Sequence, residues 1–280
     1  MSLTAELRRH ASRAYLHGRI ARRRMQGGGH WSGVRILGYH RIADAPDPLA
    51  VHPARFRRQM EIVRESGFAP IALGAALDLL RNGPVHGRYV CVTFDDAYLD
   101  NLEVAAPILR NLGIPATIYV PTDVLDGTGT YWWYADPPPA LDWDQVRELD
   151  AEGLIGFGSH TCSHPHLPPV DDARARHEIV GSRSVLAERL GHAVDTFCYP
   201  AGLYGTREVE LVCEASYRAA VTTDPGTNRG GQSSDPLALR RTLIYRQDTA
   251  GVFRAKLDGL VDEPSRLLRE LRSRRSRPAS

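Results

Sequence analysis

Val90-Cys91-Val92-Thr93-Phe94-Asp95-Asp96 is an apolar run that ends in two adjacent carboxylates. A short Val-rich run closed by a polar break predicts a buried strand. The carboxylates then lie at its C-terminal end, where parallel strand–helix folds gather their chemistry. Downstream, Ile155-Gly156-Phe157-Gly158 predicts another strand, which feeds Ser159-His160-Thr161-Cys162-Ser163-His164-Pro165-His166. That segment offers histidines at i and i+4, with a third at i+6. One Asp with two His is a set suited to a divalent metal, and it leaves the second carboxylate free to act as a base. Zinc is the default ion for these donors, and cobalt, manganese or nickel also fit.

Two adjacent aspartates leave a strand end in different directions, so one can bind metal while the other faces water. The residue pattern alone does not order them. His166 shares no consistent face with His160 and His164, because Pro165 breaks the local period, so it reads as a supporting or surface residue. Cys162 lies inside the same segment, but a thiolate is an unusual companion for a carboxylate and two imidazoles.

Working outward, strand-like and helix-like stretches alternate six or seven times. Upstream, 34–39 predicts the first core strand, running into His40, which either joins Asp95 at the strand ends or is satisfied in the core wall. Helices are expected over 53–66, 72–81, 102–112, 142–152, 171–190, 208–215 and 250–260. Pro53 near a start, Asp142 as an N-cap and Gly113 as a stop mark three of their ends. Further strands are expected over 116–120, 196–200, 219–221 and 239–245. Such alternation predicts a parallel α/β fold but does not separate a barrel from an open sheet. Residues 123–140 are rich in Gly, Pro and aromatics, with Tyr131-Trp132-Trp133-Tyr134 at their centre. They read either as a lid whose Trp132, Trp133 and Tyr134 meet a substrate or as a packed cover.

At 280 residues, 42% apolar and 24% charged, the chain can bury a large core in one domain. A net charge of +2 gives no general reason to expect a nucleic acid partner. Lys256 is the only lysine, so the basic side chains are almost all Arg. They are denser at the two ends, in a basic arm (1–33) and a basic tail (263–280) that flank the core. Leu3, Leu7, Ala11, Ala14, Tyr15 and Ile20 form a ragged apolar stripe in the arm. It reads as a solvated arm or as a basic helix that could lie on an anionic membrane face. The N-terminus carries no apolar segment of the secretory type, and no run approaches the roughly 20 apolar residues of a membrane span. The expectation is a cytoplasmic protein that could touch the inner membrane face. Four cysteines without a Cys-x-x-Cys pair are expected to be reduced and mostly buried.

Thr93-Phe94-Asp95-Asp96 together with Ser159-His160-Thr161-Cys162-Ser163-His164 resembles the first two motifs of the polysaccharide deacetylase family, the NodB-homology domain or carbohydrate esterase family 4. The resemblance spans roughly 34–262. It implies an irregular (β/α) barrel of about seven parallel strands and a metal-dependent hydrolase that removes N-acetyl groups from an amino sugar, in a polysaccharide or a lipid-linked glycan precursor. It orders the aspartates: Asp95 as general base, Asp96 with His160 and His164 as metal ligands. It also places an oxyanion donor in Tyr199-Pro200-Ala201-Gly202, with Tyr199 preferred because Pro200 has no N–H.

Two departures stand out. A common family pattern carries an Arg just before that segment to pair with the catalytic Asp, whereas here the residues are Thr196-Phe197-Cys198, and Arg241 is the candidate replacement. The family usually places a late His as general acid, but the last His in this chain is His192. His40 is the preferred substitute, ahead of a proton shuttle through Asp95 alone. The alternatives to a deacetylase are a hydrolase of another C–N bond, in a small amide or cyclic ureide, and a catalytically weak carbohydrate-binding barrel.

Overall fold

Eight parallel strands carry the architecture: β1 (Gly33–Tyr39), β2 (Ala69–Pro70), β3 (Arg88–Phe94), β4 (Ala116–Val120), β5 (Ile155–Ser159), β6 (Thr196–Cys198), β7 (Ala219–Val221) and β8 (Arg241–Leu243). The computed structural model describes Gly18 and residues 31–262, so the expected basic arm, but for Gly18 and 31–33, and the basic tail lie outside the described residues. The strands run β7-β6-β5-β4-β3-β1-β8, with the two-residue β2 set beside β3. The seven strands of that path curl into a nearly closed barrel, as expected.

Closure is made at one residue. Leu239 donates its N–H to the Ala220 carbonyl at 2.8 Å and accepts from the Thr222 N–H at 3.0 Å. The chain then crosses the gap, and β8 pairs with β1 from Ile36↔Arg241 to Gly38↔Leu243. The single long strand expected over 239–245 is therefore divided between two partners, and β8 itself holds only three residues.

Strand alternation sorts side chains into two cores. Val90, Val92 and Phe94 point outward and pack under the helices with Leu37, Tyr39, Phe56 and Met60. Cys91, with Ile36, Tyr119, Cys198 and Val221, fills the barrel interior. Thr93 and Asp95 continue the inward set, as the two-residue pleat requires. Gly38 lies on the same inner face, where a Cβ would come 3.2 Å from the Arg241 side chain. Its lack of a side chain leaves the channel through which that guanidinium reaches the barrel mouth.

The helices stack outside. They include α1 (Pro53–Glu65), α2 (Leu73–Arg81), α3 (Ala106–Leu112), α4 (Thr122–Leu125), α5 (Trp143–Ala151), α6 (Asp172–Arg176), α7 (Ser182–Leu190), α8 (Thr206–Glu214) and α9 (Ala250–Leu257). Asp142 caps α5 in a reciprocal capping box with Gln145, and Gly113 ends α3 at φ 61°. The helices expected over 102–112 and 171–190 each contain a π turn, at Asn101–Ala105 and His177–Gly181. Such turns lack a propensity signature and cluster near functional sites. Among the described residues no helix is long and apolar enough to cross a membrane. Cys91, Cys162 and Cys198 are buried, Cys213 is exposed, and all four are free thiols.

Candidate active site

The C-terminal ends of β1, β3, β5 and β6 converge on one pocket. Asp95 reaches it by strand alternation, still on the inward face and only 3% exposed. Regular alternation would send Asp96 outward. Instead its backbone turns left-handed, at φ 73°, and Ala97 follows at 53°. The turn brings the second carboxylate into the same mouth, where Asp96 lies buried beside the first. A left-handed non-glycine residue is strained, and such strain collects where geometry serves chemistry. Thr161 (φ 69°), His164 (56°) and Ala201 (54°) repeat the pattern around the same rim.

Asp95 is gripped from across the barrel. Arg241 donates from Nη1 to Oδ1 at 2.5 Å and from Nη2 to Oδ2 at 2.7 Å. Both groups are almost wholly buried. Burial alone would raise the Asp95 pKa, but the charge of Arg241, helped by His160 and His40, outweighs it and holds the carboxyl well below the usual range. The cation expected from Arg241 is thus in place. The Cys198 thiol packs against the same pair, 3.6 Å from Asp95 Oδ1 and 3.1 Å from Arg241 Nη2, and burial pushes its pKa well up.

Asp96, His160 and His164 form a second group. Asp96 Oδ1 lies 3.6 Å from His160 Nε2 and 3.5 Å from His164 Nε2. These gaps are too long for hydrogen bonds, and Asp96 Oδ1 is a buried oxygen with no hydrogen-bond partner. Donors bound about 2.1 Å from one ion at tetrahedral angles stand about 3.4 Å apart, so the spacing fits a divalent metal such as zinc. The His160 ring is oriented by its Nδ1, 2.7 Å from the Cys198 carbonyl, which leaves Nε2 for the ion. Burial lowers the His160 pKa to about 4 and that of His164 well below the usual value, so both rings are neutral donors at pH 7. Burial, and then the charge of Asp95, raise the Asp96 pKa well above its usual value.

Asp95, His160 and Cys198 also lie close enough to hold an ion. That set is already committed: Arg241 occupies both Asp95 oxygens and the Cys198 carbonyl occupies His160 Nδ1. Cys162 belongs to neither group.

His40 opens into the mouth, its Nε2 3.8 Å from Asp95 Oδ2. Burial lowers its pKa against the pull of Asp95. Trp132 and Trp133 line the pocket, and among the described residues Trp132 is the large apolar side chain left exposed, at 56%. Its Nε1–H donates to the His164 carbonyl at 3.1 Å, while the Trp133 ring lies 4.4 Å from the His164 ring. The aromatic segment therefore buttresses a candidate metal ligand as well as shaping the entrance.

Two expected residues lie elsewhere. The Tyr134 hydroxyl donates to Asp47 and its ring meets the edge of Tyr98, so it braces the loop and does not line the pocket. Tyr199 spends its N–H on the Val221 carbonyl at 3.3 Å in the β6–β7 ladder, and its hydroxyl on the Leu237 carbonyl. Its neighbour Ala201 lines the pocket instead, on a turn whose left-handed φ re-aims the backbone. Leu49, Thr223, Leu243, Tyr245 and His166 complete the lining. None but His166 stood out in the sequence, because loops distant along the chain bring the others together.

The sequence model of the family described as polysaccharide deacetylase matches residues 82–220, which contain both carboxylates and both histidines. YxkH of Bacillus subtilis is 25% identical over 226 residues, covering 80% of this chain and 76% of that protein. The peptidoglycan-N-acetylglucosamine deacetylase of Bacillus cereus is 22% identical over 240 residues, covering 82% of this chain and 80% of its own. Among solved structures, IcaB from Ammonifex degensii superposes with a TM-score of 0.73 at 24% identity, covering 82% of this chain and 98% of that one.

Proposed function

This chain belongs to the polysaccharide deacetylase family, and we propose that it is a metal-dependent enzyme that removes acetyl groups from N-acetylated amino sugars within a glycan. The observation that carries the metal dependence is the orphaned Asp96 Oδ1 held 3.5–3.6 Å from two neutral imidazole nitrogens. An ion held by Asp96, His160 and His164 would polarise the acetamide carbonyl and acidify water.

The rest of the reaction falls to this chain's own groups. Asp95 is ionised throughout the neutral range and faces the mouth, so it can take a proton from the attacking water. Arg241 keeps the carboxylate in one rotamer and limits its basicity, which suits a base working on water already acidified. The Ala201 N–H, in place of Tyr199, is the backbone donor on the pocket-lining turn for the developing oxyanion. Breaking the C–N bond requires a proton on the leaving nitrogen. His40, beside Asp95, is the group that can pass on the proton taken from water, so that water and amide give acetate and free amine. Trp132 and Trp133 offer ring faces for the sugar.

The name of the Bacillus cereus relative points to N-acetylglucosamine as the first sugar to try. Metal-stripped protein should release no acetate from N-acetylglucosamine oligomers, and added zinc or cobalt should restore release with an equal yield of free amine. Acetate release unaffected by chelation would overturn the metal dependence. Metal binding without acetate release would overturn this choice of substrate.

A further inference from the structure

Glu178 is a carboxylate only 1% exposed, outside the mouth, on the π turn His177–Gly181. It belongs to neither group of candidate ligands. Its Oε2 accepts two consecutive backbone N–H groups, those of Cys162 and Ser163, each at 2.9 Å. Its Oε1 accepts the Ser163 hydroxyl at 2.6 Å and Arg174 Nε at 2.9 Å. Arg174 Nη2 also reaches Ser163 Oγ, at 3.0 Å, which closes a small network. The two N–H groups belong to the residues between His160 and His164.

We propose that Glu178 is the positioning residue that holds the His160–His164 turn in the shape a metal needs, an inference that rests on the metal assignment above. The turn has reason to require an external anchor. Thr161 and His164 both sit at positive φ, and Thr161 is β-branched, so the backbone would relax if left alone. The Thr161 and Cys162 carbonyls are tied to the Thr122 and Asp123 N–H groups, and the His164 N–H to Thr161 Oγ1. The N–H groups of Cys162 and Ser163 both go to Glu178. One carboxylate thereby sets the path of the chain from the first histidine to the second. A buried charge is tolerated there because four donors meet it.

The test is cobalt titration of the metal-stripped full chain, followed by visible absorption, for wild type, Glu178→Gln and Glu178→Leu. Thermal unfolding of each without metal serves as the control. Glu178→Leu should weaken cobalt binding about 10–100-fold, the range typical of lost supporting contacts around metal ligands, and should alter the absorption bands. Glu178→Gln keeps one acceptor for the two N–H groups and should recover most of that loss. A merely structural role would lower the unfolding temperature and leave the cobalt affinity and spectrum of the folded protein unchanged, which would overturn the proposal. Should Glu178→Leu not fold, Glu178→Asp keeps the charge but draws the carboxylate back from the two N–H groups, so it should still weaken cobalt binding, and wild-type affinity and spectrum there would overturn the proposal equally. Wild type that binds no cobalt would overturn the metal assignment itself.

Discussion

Arg241 and Asp95 face each other across the barrel in a two-pronged contact, Nη1 to Oδ1 at 2.5 Å and Nη2 to Oδ2 at 2.7 Å, with both groups almost wholly buried. Removing one partner of such a pair strands a buried charge, at a typical cost of about 3–5 kcal/mol. Arg241→Met should therefore lower the unfolding temperature markedly. Asp95, freed of the guanidinium, should titrate at higher pH, so the acidic limb of the rate profile should move up. Arg241→Lys restores the charge without the fork and should fall between. An unshifted acidic limb in Arg241→Met would argue against Asp95 as the base.

The two aspartates should separate cleanly. Asp96→Ala should abolish tight binding of zinc or cobalt and activity together. Asp95→Asn should still bind metal but lose turnover by at least about 100-fold, the lower end of what acid–base groups supply. Calorimetric titration with zinc, paired with acetate assays, distinguishes them. Full activity in Asp95→Asn would show the roles to be misassigned.

Acid should destabilise the metal-stripped protein. Burial holds His160 at about 4 and His164 well below its usual value, whereas both take protons near pH 6.5 once unfolded. Between those limits the unfolded chain binds more protons at these sites than the folded one, so stability rises with pH from about 4 to 6.5. Asp96, Asp100 and Asp123, raised by burial, work in the opposite sense, and His40, lowered by burial, adds to the two rings. The unfolding temperature should climb across that window. A flat profile would show that the two rings are not buried neutral.

Trp132 should matter to binding more than to stability. Its ring is 56% exposed, so Trp132→Ala should change the unfolding temperature little. It should raise KM for N-acetylglucosamine oligomers several-fold, given about 0.5–1.5 kcal/mol for a stacked ring. Trp132→Phe keeps a ring but loses the N–H bond to the His164 carbonyl. If Phe matches wild type in KM and in metal affinity, the ring face alone is what counts.

Much of this was legible in the residues. The Asp95-Asp96 and His160–His164 segments are contiguous, each follows a strand-like run, and the C-terminal ends of parallel strands gather at one rim of the barrel. Arg241 was reachable by asking which cation could replace a missing one. Tyr199 was misjudged because which N–H on a turn is free depends on a single dihedral and on the neighbouring ladder, and neither leaves a mark on composition. The inward turn of Asp96 depends likewise on a left-handed backbone that the residue type does not announce. Glu178 was invisible for a related reason: it lies on a helix, and its partners are backbone groups that every sequence has.

The division of the last strand between Leu239 and β8 also bears on how the protein is made. A chain emerging from the ribosome presents Asp95 long before Arg241, and the intervening strands can pair as they appear. Until the closing segment arrives, the Asp95 carboxylate has no guanidinium to meet it and resists being buried. Sealing the barrel and pairing Asp95 with Arg241 are then a single late event. A nascent chain ending at 238 would be an open sheet with an uncompensated charge at its centre, unable to fold early into an active but unfinished enzyme.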